Sequence, residues 1–251
     1  MKLAMVSPFF VRCGIASYSE ALATALANQG CEVWGIRLPR FGSKSPEILQ
    51  NVVESIPADK VDITHIQHEY GLYQGLEGGF FGSLKQMRRV VPLVSTMHAT
   101  GNLEIDPVIA DASSRVVVHN EFCQRNFRGP SVIIPHGCSP SKTVPVEEAK
   151  RALGIPVEAP VVGYMGYISR YKGLEELVQA MARVPNAVLL VAGGTQAQPT
   201  EYMYTLKDRS MRTLAGRCIW TGFVPDDRVG LVYGAMDLVV YPSVFISESG
   251  A

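Results

Sequence analysis

Residues 161–184 read VVGYMGYISRYKGLEELVQAMARV, and this stretch decides the fold. Its first residues, Val161–Met165, are apolar and include β-branched valines, so they predict a buried strand. Its last part, Gly173–Val184, has apolar residues at helical spacing and predicts a helix. A strand that runs through a short turn into a helix is the first half of a βαβ unit, so the stretch indicates a parallel sheet.

The alternation of strand and helix continues on both sides of this stretch. After it, the predicted elements are strands Ala187–Ala192, Cys218–Thr221 and Leu238–Tyr241, and helices Thr200–Ala215 and Asp226–Ala235. Before it, they are helix Ala16–Gln29 and strands Lys2–Ser7, Glu32–Ile36, Val61–Ile66, Val91–Thr96, Arg115–His119 and Ser131–Ile134. These strands are rich in Val and Ile with little polar alternation, which is typical of parallel strands covered on both faces. We therefore predict an α/β fold.

A polar, proline-bounded linker, SPSKTVP at residues 139–145, interrupts the pattern. The interruption predicts two Rossmann-like domains, residues 1–143 and residues 144–251. The second series stops at PSVFISESGA, residues 242–251, where another helix is expected to begin. We expect the second domain to be incomplete.

Charge and cysteine content argue against several classes of protein. The 251 residues include 23 Lys and Arg against 23 Asp and Glu, so we expect no nucleic-acid partner. The five cysteines include no CxxC pair, which argues against a disulfide framework or a zinc site and favours a reducing cytoplasm. The N-terminus lacks the apolar segment of a signal peptide, and no run approaches the ~18 apolar residues that span a membrane.

Arg170 and Lys172 lie just before the predicted helix Gly173–Val184. A helix N-terminus carries partial positive charge and prefers anions, so cations gathered there indicate a bound polyanion that holds them. Arg is suited to bidentate contact with phosphate, and Lys supplies a point charge. The alternative interpretation is a solvated pair on a loop.

Small residues follow several other predicted strands, at the edge of the sheet where open parallel sheets bind ligands. Gly14 lies in a strand-to-helix turn that lets a ligand approach the backbone, although a simple turn is the alternative and no GxGxxG fingerprint is present. Gly193–Gly194 and Gly222–Val224 end neighbouring strands and can line one crevice. The ending Ser247–Gly250 is typical of a capped helix start, which offers N–H groups to phosphate.

Histidines also end predicted strands. His98, in the segment STMHAT, is a candidate functional residue because of this position, with a hydrogen-bonded core histidine as the alternative. His119 and His136 end strands too, and we assign them structural roles: His119–Asn120 is predicted to be a helix entry, and His136–Gly137 a loop approaching the domain junction.

The segment HIQHEYGLY, residues 65–73, places His65, Gln67 and Glu69 on one face of a strand and His68 on the other. Catalytic zinc typically needs three protein ligands in a tetrahedral array, and the alternation separates the two histidines, so we expect no metal here. The alternative to a functional site is a buried histidine that is hydrogen-bonded to the backbone.

Together these motifs resemble glycosyltransferase family 4, which has the GT-B fold. GYISRYKG, LLVAGG, WTGFVPDD and AMDLVVYPS…ES are similar to its C-terminal domain, and SPFFVRCGIASYS, HIQHEYGLY, STMHAT, VVVHN and IPHG to its N-terminal domain. The resemblance covers nearly the whole chain. It implies two Rossmann-like domains whose parallel sheets face a cleft, the second domain being incomplete.

The resemblance implies a retaining transfer of a sugar from a nucleotide-diphosphate sugar, bound by the second domain, to a glycan or lipid-linked acceptor. Lys172 matches the lysine that holds the donor diphosphate. Tyr167 stands where the family usually has an arginine, so Arg170 is expected to supply that charge from a shifted position. His98 matches the histidine near the 6-position of the sugar, and Gly14 the flexible glycine loop.

At the end of the chain, Glu248 matches the first glutamate of the family's E-x7-E motif, near the donor sugar. The second glutamate would lie beyond residue 251. The predicted donor-binding residues are completed by glycines and their neighbours at strand ends: Gly166, Gly194, Phe223, Val224, Ser249 and Gly250.

The sequence contains no Asp-x-Asp, so we expect no metal or cofactor and predict a front-face substitution in which the leaving phosphate takes the acceptor proton. GDP-mannose and UDP-sugars are both open as donors, and the HEYG segment resembles a polysaccharide-building subset in which mannosyl transfer is common. Two alternatives remain: a non-catalytic module that binds sugar nucleotides, and an epimerase or phosphorylase of the same fold.

The segment Lys85–Arg89 is short and basic. It could give a peripheral contact with acidic lipid if the acceptor is membrane-bound. A solvated helix end is the favoured interpretation, because the net charge of the chain is zero and the run is short.

Overall fold

The computed structural model describes residues 1–39, 45–138, 142, 144–195 and 198–244. These residues form two compact units. Unit 1 covers residues 1–138 and unit 2 begins at residue 142, among the described residues. Each unit has its own sheet and its own hydrophobic clusters.

Unit 1 is built on a six-stranded parallel sheet with the strand order β2-β1-β3-β4-β5-β6. The strands are β1 Lys2–Ser7, β2 Glu32–Arg37, β3 Ile63–His68, β4 Leu93–Met97, β5 Arg115–Val118 and β6 Val132–Ile133. Ala4, Met5 and Val6 of β1 are fully buried, because the strand lies inside the sheet with helices over both faces. The register pairs Gln67 of β3 with Thr96 of β4, which brings the ends of these two strands together.

The helices of unit 1 in the described residues are α1 Gly14–Asn28, α2 Pro46–Glu54, α3 Glu77–Met87, α4 Asp106–Ala112 and α5 Glu121–Arg125. Side-chain caps fix two of them: Ser45 accepts from the N–H of Ile48 at 3.3 Å, and Asn120 accepts from that of Cys123 at 2.8 Å. The loop before α4 is held by the fully buried Asp106, which accepts from the hydroxyl of Tyr70 at 2.7 Å.

Unit 2 is built on a four-stranded parallel sheet with the order β10-β7-β8-β9. Its strands are β7 Val161–Met165, β8 Val188–Ala192, β9 Cys218–Gly222 and β10 Leu238–Val239. Its helices are α6 Val146–Ala152, α7 Leu174–Met181, α8 Glu201–Thr213 and α9 Asp226–Gly234. The cluster around Leu189 and Val191 packs under α7 and α8, and the cluster around Leu190 packs against α6 and α9.

An ion pair between a buried lysine and a partly exposed aspartate ties the amino ends of β7 and β10 to α6. The ammonium of Lys150 lies 2.9 Å from the carboxylate of Asp237 and donates to the carbonyls of Val157 and Ala159. Asp237 also accepts from the N–H of Val161 at 2.7 Å. The neighbouring ammonium and this N–H lower the pKa of Asp237 below its usual value.

The predicted α/β fold is confirmed, and every predicted strand is present with boundaries shifted by at most a few residues. Helices α2, α4 and α6 were not predicted, α5 begins at the helix entry that was predicted at His119–Asn120, and only the end of α3 was predicted, at Lys85–Arg89. In α3 the reason is visible in the sequence, because EGGFFGS carries three glycines, which disfavour helix. Burial of Phe80, Phe81 and Leu84 overrides that local preference.

Candidate functional site

The carboxyl edge of the unit 2 sheet is lined by backbone. Gly166 follows β7 and donates its N–H to the carbonyl of Ala192 at 2.9 Å. Gly193 follows β8 with φ +151°, and a Cβ there would lie 1.8 Å from the carbonyl oxygen of Gly166. Only glycine fits, because the two loops meet through main-chain atoms. We call Gly166, Gly193 and Gly194 the glycine edge.

Gly194, Phe223 and Val224 extend this edge toward β9. The carbonyl of Gly194 accepts from the N–H of Ile168 at 2.9 Å, and a Cβ on Gly194 would lie 3.5 Å from the backbone nitrogen of Phe223. Phe223 is exposed, whereas Val224 packs against the cluster around Leu190. The structure therefore brings together the predicted donor-binding residues that it describes in unit 2.

Gly173 fixes the turn that carries Arg170 and Lys172, which is a 3₁₀ turn over Arg170–Lys172. Its φ of +69° is left-handed, and a Cβ there would lie 2.0 Å from the carbonyl oxygen of Pro242. The N–H of Val244 donates to the carbonyl of Tyr171 at 3.0 Å. The turn is thus held against the segment that follows β10, at the carboxyl edge of the sheet.

The two cations of this turn have different surroundings. Lys172 is partly buried, and its ammonium lies 5.1 Å from the centre of the Tyr171 ring. Within the described ranges no ion pair joins Lys172 to a carboxylate. Arg170 is 80% exposed, lies 4.6 Å over the ring of Tyr202 and is 3.8 Å from Glu175.

Arg170 also borders a cavity of about 340 Å³ between α7 and α8, in which Arg209 approaches Glu175 as well, at 3.7 Å. From the sequence we expect Arg170 and Lys172 to act as one pair on a single anion. In the structure, however, the guanidinium of Arg170 already lies near the ring of Tyr202 and the carboxylate of Glu175, so the two cations differ in their neighbours. Glu248, Ser249 and Gly250, the remaining predicted residues of unit 2, lie outside the described residues.

In unit 1, Gly14 is the first residue of α1, and no atom lies within 4 Å of the position that its Cβ would take. Packing among the described residues therefore leaves room for a side chain at Gly14. The open space is what a residue that meets a ligand through its backbone needs.

His98 lies one residue beyond β4 and is linked to Gln67 on β3. Its Nε2 donates to the amide oxygen of Gln67 at 2.9 Å, and the amide nitrogen of Gln67 donates to Nε2 of His65 at 3.2 Å. The hydroxyl of Thr96 lies 2.8 Å from the same nitrogen of His65. Burial first, and then the neighbouring His119 and His136, lower the pKa of His98 to about 3.

His119 and His136 stand beside His98 rather than apart from it. The ring of Tyr18, on α1, lies 4.7 Å from His98, 5.5 Å from His119 and 4.8 Å from His136, between ring centres. We call these four residues the histidine cluster. His119 does make a structural hydrogen bond, since its Nδ1 donates to the carbonyl of Ile134 at 2.9 Å.

The sequence carried a signal for this cluster. His98 directly follows β4, His119 directly follows β5, and His136 comes soon after β6. Adjacent parallel strands end at one edge of a sheet, so residues that follow them lie close together. The assignment of purely structural roles to His119 and His136 overlooked this alignment.

His68 lies on the opposite face from His65 and Gln67, as the alternation predicts. It is fully buried and stacks on Tyr73 at 4.9 Å, and its ring nitrogens have no hydrogen-bond partner in the part of the chain that the structure describes. The alternative of a backbone-bonded histidine is therefore wrong for His68. Burial lowers its pKa to about 3. Glu69 lies beyond β3 and accepts from the N–H of Gly71.

Across the described ranges, no group of three or more His, Cys, Asp or Glu side chains is arranged to hold a metal ion. The basic segment at the end of α3 has structural partners: Lys85 pairs with Asp111 at 2.5 Å, and Arg88 donates to the carbonyls of Asp111 and Ser113. Among the helices that the structure describes, none combines the length and the apolar character that crossing a membrane requires.

Comparison with known proteins gives a family match for the second half of the chain. Residues 145–251 match the family described as glycosyl transferases group 1. The chain is 31% identical over 129 residues to 2-deoxystreptamine glucosyltransferase of Streptomyces kanamyceticus, covering 47% of this chain and 32% of that protein. It is 27% identical over 235 residues to D-inositol 3-phosphate glycosyltransferase of Corynebacterium kroppenstedtii, covering 76% of this chain and 49% of that protein. The chain thus spans half or less of the length of these two relatives.

Two solved structures show the fold. Sucrose-phosphate synthase from Thermosynechococcus elongatus superposes with a TM-score of 0.77 at 21% identity, over 100% of this chain and 77% of that one. Anabaena HepE in complex with UDP and glucose superposes with a TM-score of 0.72 at 19% identity, over 100% of this chain and 76% of that one. Residues 145–251 are thus similar to the glycosyl transferases group 1 family, and the chain has the GT-B fold.

Proposed function

We propose that this protein is a retaining glycosyltransferase, which moves a sugar from a nucleotide-diphosphate sugar to a glycan or lipid-linked acceptor. The observation that carries the proposal is the position of Lys172. It is partly buried at the carboxyl edge of the unit 2 sheet, the edge at which Gly166 and Gly193 meet through main-chain atoms. A diphosphate at this edge would meet a cation and the first N–H groups of α7.

The chemistry requires stabilisation of a leaving group. The acceptor oxygen forms a bond to C1 of the sugar, the bond from C1 to the diphosphate oxygen breaks, and the acceptor proton passes to the departing phosphate. Negative charge grows on the diphosphate, and Lys172 together with the N-terminus of α7 would stabilise it. Losing one such donor costs about 3 kcal/mol in the transition state, which is about a hundredfold in rate.

We propose no metal for this step, since the cation and the helix N-terminus supply the positive charge. The test is transfer in the presence of a chelator such as EDTA. We expect the rate with and without chelator to be equal, and a rate that falls with EDTA and returns with Mg²⁺ or Mn²⁺ would refute this part of the proposal.

For the donor we propose a class of nucleotide sugar and not one compound. Relatives named for glucosyl and N-acetylglucosaminyl transfer, and the UDP in the HepE structure, support a UDP-sugar. The resemblance of the HEYG segment to polysaccharide-building enzymes keeps GDP-mannose as the second donor and mannosyl transfer in polysaccharide biosynthesis as the second reaction. Among the described residues, the five cysteines form no disulfide with one another, which supports a cytoplasmic protein. Peripheral membrane contact remains part of the proposal only for a lipid-linked acceptor.

The experiment combines binding with transfer. A thermal-shift screen of the whole chain over UDP-, GDP- and ADP-sugars identifies the donor, and transfer is then compared among wild type, Lys172→Ala and Lys207→Ala. Lys207 is an exposed lysine of α8, so its variant is the matched control. We expect transfer to fall about a hundredfold in Lys172→Ala and to stay unchanged in the control.

Full transfer by Lys172→Ala would overturn the role given to this lysine. Binding of a sugar nucleotide without transfer by wild type would instead favour the non-catalytic module. Conversion of the donor in the absence of any acceptor would favour an epimerase or a phosphorylase.

A further inference from the structure

Gln67 is a fully buried amide that lies between two histidines. Its oxygen faces Nε2 of His98 at 2.9 Å and its nitrogen faces Nε2 of His65 at 3.2 Å. An amide oxygen only accepts and an amide N–H only donates, so each contact fixes which partner holds the proton. Nε2 of His98 must carry a hydrogen, and Nε2 of His65 must be bare.

The second histidine keeps the amide in this orientation. Nε2 of His65 accepts from Gln67 and also faces the hydroxyl of Thr96 at 2.8 Å, which can donate to it. Gln67 and Thr96 are buried and are paired in register on β3 and β4. Two neighbouring strands therefore hold the side chains in place, because neither backbone can shift without breaking the ladder of the sheet.

From this arrangement we infer that Gln67 is a positioning residue that holds His98 in its Nε2–H tautomer, so that Nδ1 of His98 can act only as a hydrogen-bond acceptor. The role that this inference gives Gln67 in catalysis rests on the proposed function. A ligand group that meets Nδ1 must then be a hydrogen-bond donor, such as a sugar hydroxyl, and a carboxylate or phosphate oxygen would be rejected.

The surroundings of His98 keep its ring neutral. Among the described residues, Tyr18 and the four other histidines are titratable groups that lie around it. Burial and these histidines lower the pKa of His98 to about 3, so the imidazole carries one hydrogen over the physiological range. A neutral ring has two tautomers, and the amide of Gln67 selects between them.

The tautomer can be read directly by NMR. In the whole chain labelled with ¹⁵N-histidine, long-range ¹H–¹⁵N correlations distinguish a protonated from a bare ring nitrogen, and the His98 signals are identified by their loss in His98→Gln. We expect wild type to show protonated Nε2 and bare Nδ1. In Gln67→Leu we expect the two nitrogens to approach averaged shifts, and in the control Gln50→Leu, an exposed residue of α2, we expect no change.

A second variant keeps the test decisive if Gln67→Leu does not fold. In Gln67→Glu the carboxylate still accepts from Nε2, so the tautomer is retained, but its charge favours the imidazolium and raises the pKa of His98. Protonated Nδ1 with bare Nε2 in wild type would overturn the inference, and so would an unchanged pKa of His98 in Gln67→Glu.

Activity separates this inference from the function on which it rests. We expect Gln67→Leu to lose about tenfold in transfer, through kcat rather than KM, the factor that one misplaced hydrogen bond typically gives. If wild type shows the expected tautomer but transfers no sugar, the proposed function fails and the role of Gln67 stands. If wild type transfers sugar while Nδ1 of His98 carries the hydrogen, the role of Gln67 fails and the function stands.

Discussion

In unit 2 the carboxyl edge of the sheet is lined by backbone, whereas in unit 1 the carboxyl edge is lined by rings. The glycine edge has no space for a Cβ at Gly193, because the carbonyl of Gly166 occupies it. The histidine cluster has the opposite character, with Tyr18 in contact with three imidazoles. The comparison indicates that unit 2 is destabilised when a side chain is added at its sheet edge, whereas unit 1 is destabilised when its buried histidines take up protons.

The largest expected effect is that of Gly193→Ala. The new Cβ would meet the carbonyl oxygen of Gly166. In addition, alanine would have to adopt the φ of +151° at this position, which an L side chain rarely adopts. Overpacking and backbone strain together should lower the free energy of unfolding by about 3 kcal/mol. Urea denaturation followed by circular dichroism measures this change.

The control for Gly193→Ala is Gly14→Ala, in which no atom lies within 4 Å of the new Cβ. We expect its free energy of unfolding to change by less than about 1 kcal/mol. Equal destabilisation by the two substitutions would break the contrast between the two edges.

The effect of intermediate size is a change in how the free energy of unfolding depends on pH, and we expect it from His68→Leu. Burial lowers the pKa of His68 to about 3, below that of an unfolded histidine near 6.5, so the unfolded state binds the proton first. The stability that neutral His68 provides is complete above about pH 6.5 and is lost as the pH falls toward the folded pKa. Between pH 6.5 and 5 the loss should be about 2 kcal/mol.

His68→Leu removes the imidazole that takes up this proton. The substitution breaks no hydrogen bond among the described residues, because neither ring nitrogen of His68 has a partner there. Unfolding free energies at the two pH values, measured in wild type and in the variant, give the difference directly. All five histidines lie in unit 1, so a steeper acid sensitivity that persists unchanged in His68→Leu would contradict the assignment.

The smallest expected effect is that of Arg170→Ala. Its guanidinium is 80% exposed and already lies near Glu175 and the ring of Tyr202, so solvent screens its charge. We expect transfer to fall by less than about tenfold and stability to change by less than about 1 kcal/mol. A loss as large as that of Lys172→Ala, in the same kinetic assay, would restore the view that the two cations act as a pair.

The sequence predicted the strands and the glycine edge because their signals are local. Runs rich in Val, Ile and Leu mark most of the strands, and the glycines that follow β7 and β8 mark the edge. The beginning of helix α3 was missed because its glycines oppose the helix locally, and burial of Phe80 and Phe81 decides the outcome.

The site in unit 1 was predicted less well, because its side chains meet through the register of the sheet. Gln67 and His98 are 31 residues apart in the chain, and only the pairing of β3 with β4 brings them into contact. The separate surroundings of Arg170 and Lys172 also depend on side-chain direction, which spacing along the sequence does not specify.

The ion pair between Lys150 and Asp237 joins residues that are 87 positions apart, one in the first helix of unit 2 and one directly before its last described strand. A buried ammonium without its carboxylate is strongly unfavourable, so the core beside α6 cannot close until Asp237 is present. During synthesis on the ribosome, unit 2 should therefore stay open until its last described strand has emerged, whereas every pairing of the unit 1 sheet is already available by then.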